Sequence, residues 1–334
     1  MSRVIVFGAG GYLGIPLVEE LISRKHDVWA VDRWFFGKKP DGVVNTIHSD
    51  IRTCDPRLMP EMDAVIDLAG LSNDASADID TALTTAINFG GAMQFARRAK
   101  EAGTKKYIYS SSCSVYGSGE HPGLVETNDC KPLTAYARSK VGVEEGLRSI
   151  ASPDFDPIIL RNATVFGVAP RMRFDLAVNI MTLRAWRDNL IYCMGGGQQM
   201  RPFIHVMDVV RAFVLALERK EYTNDTFNVG GDDMNMSIDG LAKTVKSVFP
   251  TAAIHHIPDD IDRRSYHVSF AKIKEAFQFK PHHSILNGIC EVRKALIDGT
   301  ISGDDETAYT VSWYKKLIEW DKRLADIRLD GRIL

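Results

Sequence analysis

Short apolar runs rich in β-branched residues alternate along the chain with longer stretches in which apolar residues recur at every third or fourth position. The runs are VIVFG (4–8), DVWAVD (27–32), AVIDLAG (64–70), KYIYSSS (106–112) and PIILRNATVFG (157–167). Between them lie YLGIPLVEELISRK (12–25), ALTTAINFGGAMQFARRAKEAG (82–103) and LTAYARSKVGVEEGLRSIA (133–151), which carry the helical spacing. The runs are apolar nearly throughout, as strands covered on both faces must be. Alternation on this scale predicts an α/β fold with a doubly wound parallel sheet over residues 1–167. After Gly167 the chain carries turns, arginines and a helix, so residues 168–334 are predicted to form a smaller C-terminal lobe, with strands near 204 and 227 returning to the main sheet. TFNVGGDDMNMSIDGLAKTVKSVF (226–249) reads as strand, loop and helix. In the tail, Trp313, Leu317, Trp320, Leu324 and Ile327 share one helical face. That face is expected to pack on its own domain and not on a membrane, because the opposite face mixes both charge signs.

Composition narrows the class. With 334 residues, 45% hydrophobic and 25% charged, the chain has the make-up of a soluble globular protein. A net charge of −2 gives no reason to expect nucleic acid or an anionic membrane as partner. Strand-like RVIVFG begins at residue 3, so no targeting peptide is expected, and no apolar stretch approaches the roughly 18 residues that span a bilayer. The five cysteines (54, 113, 130, 193 and 290) include no CxxC pair, which predicts free thiols in a reducing cytoplasm with neither a disulfide framework nor a zinc site. The pairs His255–His256 and His282–His283 have no spaced cysteine or carboxylate partner in sequence, so they are expected to be solvated and not metal ligands.

GAGGYLG places Gly8, Gly11 and Gly14 three apart, directly after a strand and at the start of a helix. Such a turn lets backbone N–H groups and a helix N-terminus meet a pyrophosphate, the mark of a Rossmann dinucleotide site. Asp32 ends the next strand, where a carboxylate accepts hydrogen bonds from the adenosine ribose and repels a 2′-phosphate. The cofactor is therefore read as NAD, with Arg33 keeping NADP open as the alternative. Asp50 can cap the adenine, or it can be a turn aspartate bonded to its own backbone.

Tyr136 and Lys140 stand four apart on a predicted helix, hence on one face. They lie 24 and 28 residues beyond Ser112, which ends a strand of the same sheet. Oxidising a sugar carbinol needs a base for the hydroxyl proton, and a tyrosine with pKa about 10 serves only if cations nearby favour the phenolate. A lysine ammonium and a nicotinamide ring would lower it by roughly three units, about 4 kcal/mol. Ser112 would hold the substrate oxygen.

Together with SSSCSVYG (110–117), RPFIHVMDVVRAF (201–213), FNVGG and DRRSYHVSFAKIKEAFQFKP, these features run nearly end to end and resemble the extended short-chain dehydrogenases/reductases of the nucleotide-sugar epimerase/dehydratase family, UDP-galactose 4-epimerases among them. The resemblance implies catalytic residues at Ser112, Tyr136 and Lys140. It implies tightly held NAD, contacted by Gly8, Gly11, Tyr12, Leu13, Gly14, Asp32, Asp50, Ile51, Leu68, Ala69, Gly70, Asn88, Ser110, Tyr136 and Lys140. It further implies a nucleoside-diphosphate sugar in the C-terminal lobe and a homodimer joined through helices near 88–102 and 134–151. Arg201 matches the arginine that grips the diphosphate, Arg264 is a second candidate although Arg263 blurs its register, and Asn179 matches an asparagine near the sugar or phosphate. Ser112 and Ser114 would face the sugar. Arg171 and Arg173 can add charge-assisted bonds to a phosphate or a sugar carboxylate. Asp208 is expected to cap the helix VVRAFVLAL rather than touch substrate.

In the 4,6-dehydratases of that family, Asp and Glu follow the catalytic Ser/Thr, and in the decarboxylases a Glu stands second. Here those positions are Cys113 and Ser114, a weak donor and a hydroxyl, which cannot supply that acid–base pair. The leading reading is an NAD-dependent epimerase that inverts a sugar carbinol, most often C4, through a transient ketone. A one-way nucleotide-sugar dehydrogenase or ketosugar reductase uses the same triad. A non-catalytic NAD-sensing or RNA-associated relative is the third reading, and the intact Ser112, Tyr136 and Lys140 weigh against it.

Overall fold

The computed structural model describes residues 1–54, 61–119, 121–219, 224–257, 264–329 and 331–332. In chain order its strands are β1 (Arg3–Phe7), β2 (Asp27–Asp32), β3 (Asn45–His48), β4 (Ala64–Asp67), β5 (Lys106–Ser112), β6 (Asp156–Asn162), β7 (Thr164–Phe166), β8 (Leu190–Met194), β9 (Met200–His205), β10 (Asp225–Val229), β11 (Asn235–Ser237) and β12 (Ala253–Ile257). Seven of them form one sheet in the order β10-β6-β5-β4-β1-β2-β3. Every neighbouring pair in it is parallel. Successive side chains of a strand point to opposite faces, so a sheet covered on both must be apolar at every position. In β1, Val4 and Val6 pack with Leu17, Val18 and Leu21 of helix Gly14–Ser23 and with Val209, Val210 and Phe213 of helix Val206–Glu218. Ile5 and Phe7 face the other way, into Phe95, Ala96, Val143 and Leu147 of helices Ala92–Glu101 and Ala135–Ile150. The sheet order reverses between β1 and β4, which opens a crevice at the carboxyl ends of the strands.

The doubly wound sheet and the returning strand at β10 agree with the sequence. The strand near 204 does not return to it. β9 pairs with β7 and β11 in a separate three-stranded sheet, because the outer edge of β6 is already taken by β10. The run 157–167 is accordingly two strands. Ala163 donates its N–H to Val229 O at 3.0 Å, and beyond it the chain leaves one sheet for the other. β8 and β12 make a third, two-stranded sheet in the C-terminal lobe. Over 82–103 the expected helix is Thr81–Thr84, a π-helical turn Thr85–Gly91 and Ala92–Glu101.

Three further expectations are corrected. Asp208 caps nothing: the side chain of His205 accepts from Met207 N–H at the helix start, while the buried Asp208 carboxylate receives the N–H groups of His282 and His283 at 2.9 and 3.0 Å. The histidine pairs are not simply solvated, since His283 stacks on His205 at 4.1 Å and His256 bonds Asp239 at 2.9 Å. The tail helix Thr310–Ile327 docks by its N-terminal turns, where Tyr314 packs on Phe35 and Phe36. Trp313 Nε1 donates to Phe35 O at 2.7 Å, whereas Trp320 and Ile327 on the same face are 42% and 62% exposed. No helix among the described residues is long and apolar enough to cross a membrane.

One buried polar cluster ties the two halves of the crevice wall together. Glu144 receives Ser111 Oγ at 2.6 Å and Arg161 Nη2 at 2.7 Å, and Arg161 Nη1 donates to Tyr116 Oη at 2.9 Å. Glu144→Gln leaves the Arg161 charge buried without its counter-charge and is expected to cost about 3–5 kcal/mol, read as a lower urea midpoint. Replacing Glu144 and Arg161 together by Met and Leu should cost clearly less. A double variant as unstable as the single one would show that the pair's charge is not the issue.

Candidate active site

The crevice is a cavity of about 740 Å³. At one end Gly8 turns with φ +78°, and its N–H donates to Val31 O at 3.0 Å. A Cβ on Gly14 would lie 2.0 Å from Gly8 O, so only glycine lets helix Gly14–Ser23 start against this turn. No side chain caps that helix, and although Ile15 N–H bonds Gly11 O at 3.2 Å and Pro16 has no N–H, the positive end of the helix faces the wall formed by Gly8, Gly11, Tyr12, Leu13 and Gly14, where an anion is favoured. Asp32 lies on the same wall, receiving Gly10 N–H at 3.0 Å and Trp34 N–H at 2.6 Å. Burial raises its pKa, against these N–H groups and the more distant charge of Arg171. Each of its oxygens accepts one N–H and retains a lone pair for a ribose hydroxyl. An uncapped helix behind a glycine turn, with a carboxylate beside it, fits the diphosphate and the ribose of NAD.

Ile51, Leu68, Ala69, Gly70 and Ser110 line the cavity too. Asp50 lines it but is committed to cations, taking Arg33 Nη1 at 2.9 Å and Arg52 Nη2 at 2.8 Å, and it bonds its own turn through Arg52 N–H at 3.0 Å. Arg52 first, then Arg33, hold the Asp50 carboxyl well below the usual range. Arg33 is therefore tied to Asp50 and is not a spare cation for a 2′-phosphate. Asn88 is not on the cavity wall. Its buried amide accepts Leu71 N–H at 2.8 Å and donates to Leu71 O at 3.1 Å, so it pins the loop after β4 and touches the cavity only through that loop.

Further along the carboxyl edge, Ser112 ends β5, while Tyr136 and Lys140 face the same cavity from helix Ala135–Ile150, whose N-cap is Thr134. Lys140 Nζ donates to Ser110 O at 2.7 Å and stands 5.6 Å from the Tyr136 ring. Burial pulls Lys140 down to about 8, against the raising charges of Asp67 and Glu144. Tyr136 is moved upward, by burial first and Asp74 second, with Ser112 and Arg173 pulling back. The expected lowering is thus not produced by the protein's own groups, because burial outweighs the pull of Ser112 and Arg173. Cys113 is turned into the core. Its Sγ donates to Arg161 O at 3.2 Å, and burial drives the thiol far above its ordinary range. Ser114 Oγ is buried on the cavity wall with no hydrogen-bond partner among the described residues, as is Asn162 Oδ1.

The other end is cationic. Arg201 lies buried on the wall over the Tyr266 ring, donating to Met200 O at 2.8 Å and also bonded to Arg264 O. Arg264 is on the wall and paired with Asp74, and Arg263 lies outside the described residues. Arg173 chelates Asp175 through Nε and Nη2 at 3.1 and 2.6 Å. Arg171 donates to Thr310 Oγ1 at 2.8 Å under the Phe36 ring, and burial lowers it to about 10. Both arginines line the cavity, but Asn179 does not. Its amide accepts Gly167 N–H at 3.0 Å and donates to Tyr12 Oη at 3.2 Å and Arg173 O at 2.9 Å, so it is a core strut behind the site.

Sequence reasoning missed Asn73, Asp74, Tyr266 and Tyr314 on the wall. Asp74 bridges Arg264 and the hydroxyl of Thr134. Asn73 was signalled by its capping box with Ser76. Tyr314 packs on Phe35 and Phe36 from a helix whose apolar periodicity marks a different face, and no local signal points to it.

Comparison with known proteins agrees with this geometry. The model of the NAD dependent epimerase/dehydratase family matches residues 4–230, more than half of the chain. A Bacillus subtilis protein described as an uncharacterized UDP-glucose epimerase is 26% identical, over 86% of this chain and 95% of its own. A UDP-N-acetyl-alpha-D-glucosaminuronate decarboxylase of Bacillus cytotoxicus is 28% identical, over 87% and 96%. In fold, the chain is similar to a crystal structure of UDP-glucuronic acid 4-epimerase from Bacillus cereus bound to UDP-glucuronic acid and NAD, with a TM-score of 0.79, 23% identity and coverage of 89% and 99%. With the glycine turn, Asp32 and the Ser112–Tyr136–Lys140 wall in one crevice, the chain belongs to the NAD-dependent epimerase/dehydratase family of nucleotide-sugar enzymes.

Proposed function

We propose that the protein epimerises a nucleoside-diphosphate sugar at a hydroxyl-bearing carbon, C4, through a ketone that stays in the cavity. The observation that carries this reading is the chemistry around Ser112. The triad faces the cavity, Cys113 is turned away into the core, and Ser114 offers only a hydroxyl. Asp74, the nearest carboxylate missed from sequence, already holds Arg264 and Thr134. Asp175 on the wall is likewise held by Arg173, so among the described residues no uncommitted acid–base pair for elimination or decarboxylation stands beside Ser112, Tyr136 and Lys140.

When bound, NAD supplies a hydride acceptor and a positive ring. Ser112 and the orphaned Ser114 hydroxyl hold the sugar hydroxyls, and Tyr136 takes the proton of the carbinol and returns it after the ketone has turned. Lys140, anchored on Ser110 O, keeps a cation beneath the phenol. Arg201 and Arg264 bind the diphosphate, which requires Arg264 to leave Asp74. The relatives that act on UDP-sugars make those the first substrates to assay.

Tyr136→Phe should lower turnover by roughly 10²–10⁴ while calorimetry shows nucleotide-sugar affinity unchanged, and Arg201→Ala should weaken binding first. A substrate deuterated at C4 should keep its label in the inverted product without net NADH. Stoichiometric NADH with a stable ketone would instead indicate a dehydrogenase, and unchanged turnover in Tyr136→Phe would refute the site. Asp32→Ala should narrow the preference for NAD over NADP measured in parallel titrations.

Lys140 also predicts a pH signature. Its folded pKa of about 8 lies below the 10.5 of the unfolded chain. Between these values the unfolded state binds more protons, so the lysine's contribution makes stability rise with pH from about 8 towards 10. Lys140→Met should remove that rise, measured as urea midpoints across the window. An identical slope in the variant would contradict the assignment.

A further inference from the structure

The tertiary structure gives His256 the partners that sequence spacing withheld. β8 and β12 run parallel with Cys193 directly opposite His256, so the two side chains stand side by side on one face of the small sheet. Asp239, in the first turn of helix Ile238–Val248, comes down on the same face. One ligand atom from each of Cys193, Asp239 and His256 lies within 4.8 Å of the other two. We propose that these three side chains form a binding site for a thiophilic divalent cation, zinc by its ligand chemistry, with water completing a tetrahedral set.

Several features separate this cluster from an accidental one. Cys193 is fully buried, yet its Sγ makes no hydrogen bond among the described residues, so a soft ligand is held ready inside the lobe. Gly197 makes room for it. At φ +84° a Cβ there would sit 2.5 Å from Cys193 Sγ and 3.0 Å from Asp239 Cβ, so a larger residue would push thiol and carboxylate apart. Ser237 caps the helix through Gly240 N–H at 3.0 Å, which frees Asp239 from that duty. The carboxylate is oriented instead by Lys243 Nζ at 2.6 Å on one oxygen, while the other faces His256 Nε2 at 2.9 Å. A carboxylate fixed by an outer partner is the usual arrangement around a metal ligand. Sulfur, imidazole and carboxylate together suit zinc and are poor ligands for magnesium or calcium.

The other histidine cluster lacks this readiness. His205 spends Nε2 on Glu291 at 2.7 Å and Nδ1 on Met207 N–H at 3.3 Å, and Asp208 is filled by two backbone N–H groups and Arg211. Binding at the Cys193 site converts thiol to thiolate and releases one proton to solvent. It would staple β8 to β12 and to the helix above them. Tyr192 and Met194, the neighbours of Cys193 on β8, line the substrate cavity, so the staple would stiffen one wall of the nucleotide-sugar site.

The test uses the full chain after chelator treatment. Cobalt(II), the spectroscopic probe, should bind one equivalent and give a thiolate-to-cobalt charge-transfer band that zinc(II) then abolishes, and zinc should raise the melting temperature. Cys193→Ala should remove the band, and His256→Ala should weaken zinc by more than the roughly 10–100-fold typical of an outer partner. Lys243→Met should fall within that range. His256 is half exposed, so its variant keeps the fold even if Cys193→Ala does not. Cys290→Ser and His283→Ala should leave the band intact. No band at one equivalent of cobalt, a band that survives Cys193→Ala, or zinc affinity unchanged in His256→Ala would overturn the proposal.

Discussion

The wall that carries Ser112, Tyr136 and Lys140 depends on a buried charge pair that stands behind it. Ser112 comes from a strand and Tyr136 and Lys140 from a helix, and the two elements could slide past one another if only apolar contacts joined them. Glu144, one helical turn beyond Lys140, is clamped by Arg161 of β6 and by Ser111, the residue preceding Ser112. The clamp fixes the helix against β5 and β6 together, in a low-dielectric interior where an unmatched charge is costly. Cys113 and Tyr116 are tied to the same arginine residue, so the turn after Ser112 is held as well. Geometry needed to a fraction of an ångström is set by ion pairing behind the site.

The same economy governs the cavity. Its glycine turn is fixed by steric limits at Gly8 and Gly14 and by Val31 O. At its cationic end two arginines are already neutralised, Arg264 by Asp74 and Arg173 by Asp175. A diphosphate bound as proposed would compete with carboxylates already in place, so its binding would repartition ion pairs and not merely add them. Asp74 also bonds Thr134, the cap of the helix that carries Tyr136, so under the proposed function a substrate's charge would be linked to the position of Tyr136.

The C-terminal lobe is built differently from the main sheet, and its small sheets explain why. Among the described residues β8 pairs only with β12, and β9 only with β7 and β11. Two- and three-stranded sheets need external support for stability. Helices Ala177–Asp188, Ile238–Val248 and Ile285–Ile297 supply it through a core of Val178, Leu241, Val245 and Ile289. A metal at Cys193, Asp239 and His256 would reinforce the pairing of β8 with β12.

The sequence by itself determined the doubly wound sheet, the glycine turn with Asp32, and the set of Ser112, Tyr136 and Lys140 that shares one cavity wall. Those features rest on local rules: strand and helix periods, steric demands of a tight turn, and a four-residue helical offset. Only the tertiary structure decided which edges remain for β9 and β10, since a sheet edge is taken by whichever strand reaches it. It also decided that Asn88 and Asn179 are struts while Asp74 and Tyr314 reach the cavity, because a buried amide goes wherever unpaired backbone groups need it. Cys193, Asp239 and His256 are separated by 46 and 17 residues, and no pattern of spacing joins them. Their meeting is a matter of strand register and of where one helix begins, which long-range packing alone fixes.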